Sequence, residues 1–366
     1  MMTHTRCSSF LCVLSALLSA TTLHAVTPDT NAQRWLAAVP TPEFHVPATR
    51  EAWATQRDEI RKTLWQLLGD LPARPVKPGI QITEREEGEG YTLEKFSFDN
   101  GAGAKVPGYC FVPKDGQAKH PAILYCHWHG GQYDIGKKEM LQTNATPVAA
   151  GPALAKLGYV VLGIDAYCFG ERNGQGPGGV NEKGGAGEMT ASKFQLWAGR
   201  SLWGMIVRDD LMALDYLCSR ADVDAARIGV TGISMGSTRA WWLMALDDRL
   251  KAGSCVACMT RYQDLVREEM LRAHGIYYFV PGMLQHFDTE AVIACAAPRA
   301  MLFMTGGKDG GSPVAGVKTI GEKVSPIYKL HAAETKFENV IYPDVGHVYL
   351  PEMWERTVKW MEMHLR

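Results

Sequence analysis

Arg227-Ile228-Gly229-Val230-Thr231-Gly232-Ile233-Ser234-Met235-Gly236-Ser237 is an apolar strand that runs into a G-x-S-x-G turn and then into a helix-forming segment, Thr238 to Leu246. That order is the nucleophile elbow: a serine on a sharp strand-to-helix turn has its hydroxyl lifted clear of the sheet. Gly232 and Gly236 are needed because the backbone passes too close there for side chains. The turn also aims a helix N-terminus at the reacting centre, where the Met235 N–H can help hold a negative oxygen. Taken alone, the pentapeptide also fits a plain strand–loop–helix joint with a solvated serine, so the rest of the chain must supply its partners.

At 366 residues with 46% hydrophobic side chains, the chain can build one large α/β domain or two modest ones. Its 38 Lys and Arg nearly cancel 39 Asp and Glu, with no long run of either sign. Nothing here makes an electrostatic footprint for nucleic acid or an anionic membrane, and a neutral small molecule or polymer is the expected substrate. Residues 1–25 read as a secretory signal, with His4 and Arg6 in front, an apolar centre from Phe10 to Leu18, and Leu23-His24-Ala25 as the cleavage site. The apolar centre is shorter than the roughly 20 residues that span a bilayer, so cleavage is expected rather than anchoring. The mature chain would start near Val26 and work in a secreted or periplasmic setting, with no membrane contact after the signal is removed. It keeps Cys110, Cys126, Cys168, Cys218, Cys255, Cys258 and Cys295, an odd number, so at least one thiol has no partner within the chain. Cys255 and Cys258 have the spacing of a redox pair or half a zinc knuckle. They lie in a strand-like segment without a second such pair, and read as buried thiols.

In the portion 26–115, Thr49 can cap a helix from Arg50 to Leu68, and strands are expected at Ile80 to Ile82, Tyr91 to Phe98 and Lys105 to Val112, entering a sheet antiparallel. The portion 116–366 reads as the catalytic domain, with apolar strands alternating with helices: Ala122 to Cys126, Tyr159 to Ile164, the elbow strand, Ala252 to Met259, Ala300 to Met304 and Phe337 to Tyr342. Such alternation gives a mostly parallel central sheet with helices on both faces. Three further expectations concern its connections. Asn173 to Gly187, rich in glycine, reads as a mobile surface loop; Asp209 and Asp210 read as the exposed side of a helix from Leu202 to Leu217; and the helical stretch to Ala333 reads as interrupted near Pro326. An irregular insertion occupies 260–288.

Three groups fall in loops that follow strands, in the chain order Ser234, Asp309, His347. A serine hydroxyl needs an imidazole to take its proton and a carboxylate to fix the tautomer of that imidazole and steady its positive charge. Asp344 competes with Asp309 for the acid role, and His274 and His286 with His347 for the base; His347 must be neutral to act, so activity is expected to rise with pH. In His129-Gly130-Gly131-Gln132, Gly131 is the first choice for an oxyanion donor and Gln132 the second, beside Met235. His127 and His129 could instead be a metal pair, but no third ligand has a clear claim, and no cofactor is expected. Trp128, His274, Tyr277 and Tyr278 are candidates for substrate contact, with ordinary core packing the alternative for the aromatics.

These segments resemble the dienelactone-hydrolase-like and acetylxylan-esterase-like bacterial members of the α/β-hydrolase superfamily. The likeness is carried by His129-Gly130-Gly131, by Gly158 through Asp165 to Phe169-Gly170-Glu171-Arg172, by Val223-Asp224 and the elbow, and by the Asp309 and His347 loops. The resemblance implies the α/β-hydrolase fold, a triad of Ser234, Asp309 and His347, and an oxyanion hole from Gly131 and Met235. Dienelactone hydrolases proper have a cysteine where Ser234 stands, and glucuronoyl esterases an arginine where Met235 stands, which directs the reading away from those two activities. The expected function is an exported serine hydrolase that cleaves a carboxylic ester, on a small molecule or a polysaccharide, through an acyl-enzyme. The alternatives are a peptidase resembling the prolyl oligopeptidases, a non-catalytic carbohydrate-binding protein on the same fold, and a metal-dependent hydrolase.

Overall fold

Strands buried at every position alternate in this chain with strands that are not, and the difference locates them in the sheet. His120–Cys126 (β4), Val160–Ile164 (β5) and Ala300–Gly306 (β8) are buried throughout, as strands covered on both faces must be. Gln81–Gly88 (β1) is exposed along nearly its whole length and carries Glu84, Arg85, Glu86 and Glu87, the charged composition that keeps a free edge from pairing with other chains. The structure is a computed structural model that describes residues 41–366; the signal expected at 1–25 lies outside the described residues.

With Tyr91–Asp99 (β2), Lys105–Pro113 (β3), Val223–Ile233 (β6), Leu250–Val256 (β7) and Phe337–Tyr342 (β9), these strands form one sheet in the order β1-β2-β3-β5-β4-β6-β7-β8-β9. β1, β2, β3 and β5 pair antiparallel in succession, and from β5 through β9 every pairing is parallel. The chain places β5 on one side of β4 and β6 on the other. That reversal is the switch point at which open sheets leave a crevice beyond their carboxyl ends.

Helices cover both faces. Arg50–Leu68 (α1) begins at Thr49, whose Oγ1 accepts from the Ala52 N–H at 3.2 Å. It packs in one core layer with Leu202–Ser219 (α4), Met235–Leu246 (α5), Tyr262–Arg267 (α6), Thr289–Ala294 (α7) and Val314–Leu330 (α8). Ala150–Lys156 (α2) and Pro351–Leu365 (α9) pack in the layer on the opposite face. Among the described residues no helix is long and apolar enough to cross a membrane.

Three connections differ from expectation. Asp209 and Asp210 are buried: Asp210 is held by Arg239, with Nε to Oδ2 at 2.8 Å, and Asp209 by Arg172 at 2.9 Å and Arg208 at 3.3 Å. Pairing is what lets these carboxylates face inward. The stretch Asn173 to Gly187 is not loop throughout, because a helix, Gly184–Trp197 (α3), begins inside it. Glu188, Ala191, Ser192 and Gln195 are buried along one side of α3, so tertiary burial offsets the weak helix propensity of its glycines. α8 runs unbroken through Pro326. Val324, Ile327 and Tyr328 are buried around the proline, and their packing offsets the missing N–H.

Candidate active site

Four loops meet beyond the carboxyl ends of the parallel strands: His127 to Gly131 after β4, Ser234 after β6, Asp309 after β8 and His347 after β9. Ser234 has φ 59° and ψ −122°, a left-handed backbone that a side chain rarely adopts. Such strain persists only where the surroundings enforce it. Here a Cβ on either Gly232 or Gly236 would strike the Cys126 carbonyl oxygen, so both positions need glycine for the turn to close. The first turn of α5 is braced from below, where Ser237 Oγ donates to the Ala257 carbonyl at 2.6 Å.

Two aspartates compete for His347, and the geometry separates them. Asp309 Oδ2 is 2.8 Å from His347 Nδ1, while its Oδ1 accepts from the Gly311 N–H at 2.9 Å. The Asp309 side chain is 3% exposed and the His347 ring 36%. Asp344 points away, its side chain 89% exposed and 3.0 Å from Lys308. Ser234, Asp309 and His347 line one cavity of about 420 Å³ together with Gly131, His274 and Tyr277. No direct hydrogen bond joins Ser234 to His347 among the described residues, a looseness common before substrate binds. The Cys258 thiol donates toward Ser234 Oγ at 3.9 Å; burial pushes that thiol up to about 12, which keeps it protonated.

The expected oxyanion donors are placed unequally. Met235 is the first residue of α5, so its N–H has no acceptor within the helix. The Gly131 N–H donates to His129 Nδ1 at 3.0 Å. The Gln132 N–H closes a turn on the His129 carbonyl at 2.9 Å, and its side-chain oxygen accepts from Asn144 at 2.7 Å; Gln132 does not line the cavity. Of the four candidates for substrate contact, His274 and Tyr277 line the cavity, whereas Trp128 and Tyr278 do not. The Trp128 N–H donates to Glu139 Oε2 at 2.8 Å, and Tyr278 is buried behind His274, stacked on it at 4.2 Å. His286 is outside the lining as well.

Both histidines after β4 bind the backbone. His127 Nδ1 donates to the Trp128 carbonyl at 2.7 Å and Nε2 accepts from the Ala166 N–H at 3.0 Å. Burial holds this ring well below the usual histidine range. His129 adds to its Gly131 contact an Nε2 hydrogen bond to Glu188 Oε1 of α3, at 3.2 Å. Among the described residues no group of three or more His, Cys, Asp or Glu side chains is arranged to hold a metal ion.

Several residues that build the site had no motif to announce them. Glu139 anchors the loop after β4 through Trp128 and also accepts from Tyr125 Oη at 2.6 Å. Glu188 holds His129 from a helix hidden in a glycine-rich stretch. Arg239 was detectable: it is the single charge of the helix Met235–Leu246, directly ahead of the apolar Ala240-Trp241-Trp242-Leu243 run, and such a charge demands a buried partner, here Asp210.

Known proteins agree with this architecture. The chain is 36% identical to the YtaP protein of Bacillus subtilis (strain 168), a hydrolase by its name, over an alignment of 314 residues that covers 84% of this chain and 100% of that one. Among solved structures, the protein titled Methylesterase BT1017 superposes with a TM-score of 0.65 at 23% identity over 87% of this chain; the chain spans 65% of that protein's length. A Bacteroides fragilis NCTC 9343 protein assigned by name to the acetyl xylan esterases superposes with a TM-score of 0.69 at 20% identity, covering 93% of this chain and 90% of that one. At such identities the two structures speak for the α/β-hydrolase fold. The model of the abhydrolase family matches residues 33–314, which takes in the loop after β4, the Ser234 elbow and the Asp309 loop, and the chain therefore belongs to the abhydrolase family.

Proposed function

We propose that this chain is an exported serine esterase that cleaves a carboxylic ester through an acyl-enzyme, with Ser234 as nucleophile, His347 as general base and acid, and Asp309 as the orienting carboxylate. The observation that carries the reading is the strained Ser234 elbow opening on the same cavity as a histidine whose Nδ1 is held by a buried aspartate. Asp309 fixes the hydrogen on Nδ1 and leaves the Nε2 lone pair for the serine. Ser234 Oγ attacks the ester carbonyl carbon while His347 Nε2 takes its proton. The carbonyl oxygen becomes an oxyanion at the N-terminus of α5, where the Met235 N–H receives it. The Gly131 N–H joins as second donor once it leaves His129 Nδ1. Collapse expels the alcohol, which takes the proton from His347, and water repeats the sequence on the acyl-enzyme.

Residues 1–25 act in this reading as the export signal, 26–115 as the lead into the sheet, and 116–366 as the catalytic portion, its 260–288 insertion supplying His274 and Tyr277 to the cavity wall. The names of the structural relatives, a methylesterase and an acetyl xylan esterase, support an ester as the bond cleaved and a carbohydrate as one carrier of it. The test is turnover of p-nitrophenyl acetate by the chain and by Ser234→Ala. Loss of a nucleophile that acts with its base costs about 10⁴-fold or more in kcat, so the variant is expected to fall to background. A folded variant that retains turnover within about tenfold of the parent would remove Ser234 from the chemistry.

A further inference from the structure

His274 projects from the 260–288 insertion into the wall of the catalytic cavity, and the mechanism above gives it no task. Its Nε2 lies 2.8 Å from the Gly311 carbonyl oxygen. A carbonyl only accepts, so Nε2 carries the hydrogen, and in the neutral ring Nδ1 is left with the lone pair. Burial holds the imidazole below its ordinary range, which favours that neutral form. Tyr278 fixes the plane of the ring by stacking on it at 4.2 Å and 17°. The ring is thus held at one edge and one face, and its remaining polar atom has a set direction. Among the described residues Nδ1 takes no hydrogen bond, and it is not one of the polar atoms sealed in the core. Tyr277 stands beside it in the same wall. Among the described residues no Lys or Arg lines this cavity, so a carboxylate or phosphate on a substrate would find no such partner among them.

We propose that His274 is a recognition residue of this site, its Nδ1 accepting a hydrogen bond from a hydroxyl next to the scissile ester, so that the cavity selects neutral hydroxy esters over their deoxy counterparts. The assignment rests on the serine-esterase reading above. A fixed acceptor that a deoxy substrate desolvates without satisfying works against that substrate, which is how a polar wall discriminates more sharply than an apolar one. The hydroxyl can sit on the alcohol half of the ester or on the acyl half.

Two pairs of near-isosteric esters separate these cases: 2-hydroxyethyl acetate against propyl acetate for the alcohol half, and methyl glycolate against methyl propionate for the acyl half. For each pair the ratio of kcat/KM values is measured with the full chain and with His274→Phe, and compared with the same ratio for hydroxide-catalysed hydrolysis. Phenylalanine keeps a ring to stack on Tyr278 and removes the acceptor; any general loss of activity cancels in the ratio. The parent chain is expected to exceed the hydroxide ratio by about tenfold or more for one pair, which identifies the half that carries the hydroxyl. His274→Phe is expected to return that ratio to the hydroxide value. If the variant does not fold, the parent ratio decides alone. Parent ratios equal to the hydroxide ratios for both pairs, or a preference kept by the phenylalanine variant, would overturn the assignment. With p-nitrophenyl acetate turned over by the same preparation, such a result removes His274 alone, whereas no turnover of any ester removes the esterase reading together with it.

Discussion

His347 has one aspartate three residues away in sequence and another 38 residues away, and it is the distant one that touches its ring. The position of Asp309 at the end of a buried strand made it the stronger candidate from sequence, because the ends of parallel strands share one edge of the sheet. Replacing Asp309 by Asn would let the wrong tautomer of His347 form, and kcat/KM for p-nitrophenyl acetate is expected to drop about 10⁴-fold. Asp344→Asn, which only releases Lys308 at the surface, is expected to stay within about twofold of the parent. The reverse pattern would exchange the two assignments. What the sequence could not convey at this scale is the occupation of the Gly131 N–H by His129 Nδ1. That contact depends on a tautomer set by Glu188, 59 residues further along the chain, and no spacing within His129-Gly130-Gly131 encodes it.

At the scale of elements, the loop after β4 is tied down by groups behind it. Glu139 receives the Trp128 N–H and the Tyr125 hydroxyl, and Arg239 of α5 holds Asp210 of α4 while its Nη1 reaches the His127 carbonyl at 3.4 Å. Burial pushes the Glu139 carboxyl up from its usual 4.5 to about 7. Below about pH 4.5 folded and unfolded chains both carry this proton; between 4.5 and 7 only the folded chain keeps it. Stability from Glu139 is therefore full at the acid end and is lost as pH rises through that window, by roughly 3 kcal/mol. Urea unfolding of the chain and of Glu139→Gln, which has no proton to lose, checks this: the parent is expected to lose roughly that much more than the variant between the two ends of the window. Parallel pH profiles would contradict the linkage. Sequence periodicity served well for α1, where Trp53, Ile60, Leu64 and Leu68 form one buried stripe. It failed for α3, whose glycines mask a buried face, and for Asp209 and Asp210, whose partners Arg172 and Arg239 come from other elements.

On the whole molecule, the alternation of buried strands and helices was enough to forecast the parallel half of the sheet, and the antiparallel entry of β2 into β3 followed from the short Asp99-Asn100-Gly101 connection between them. The cavity was less legible, because its wall is assembled from five strand-end loops, that of Cys258 after β7 included, and the 260–288 insertion, and a string of residues does not say which aromatic turns inward: Tyr277 does and Tyr278 does not. Family membership and fold leave the nucleophile as the claim on which the chemistry rests. The most direct measurement is labelling of the chain from Val26 to Arg366 with a fluorophosphonate, followed by mass spectrometry of the intact protein and its peptides. A single stoichiometric adduct is expected on the peptide that carries Ser234, absent from folded Ser234→Ala. A folded parent chain that takes up no probe, or that carries it on another residue, would contradict Ser234 as the nucleophile.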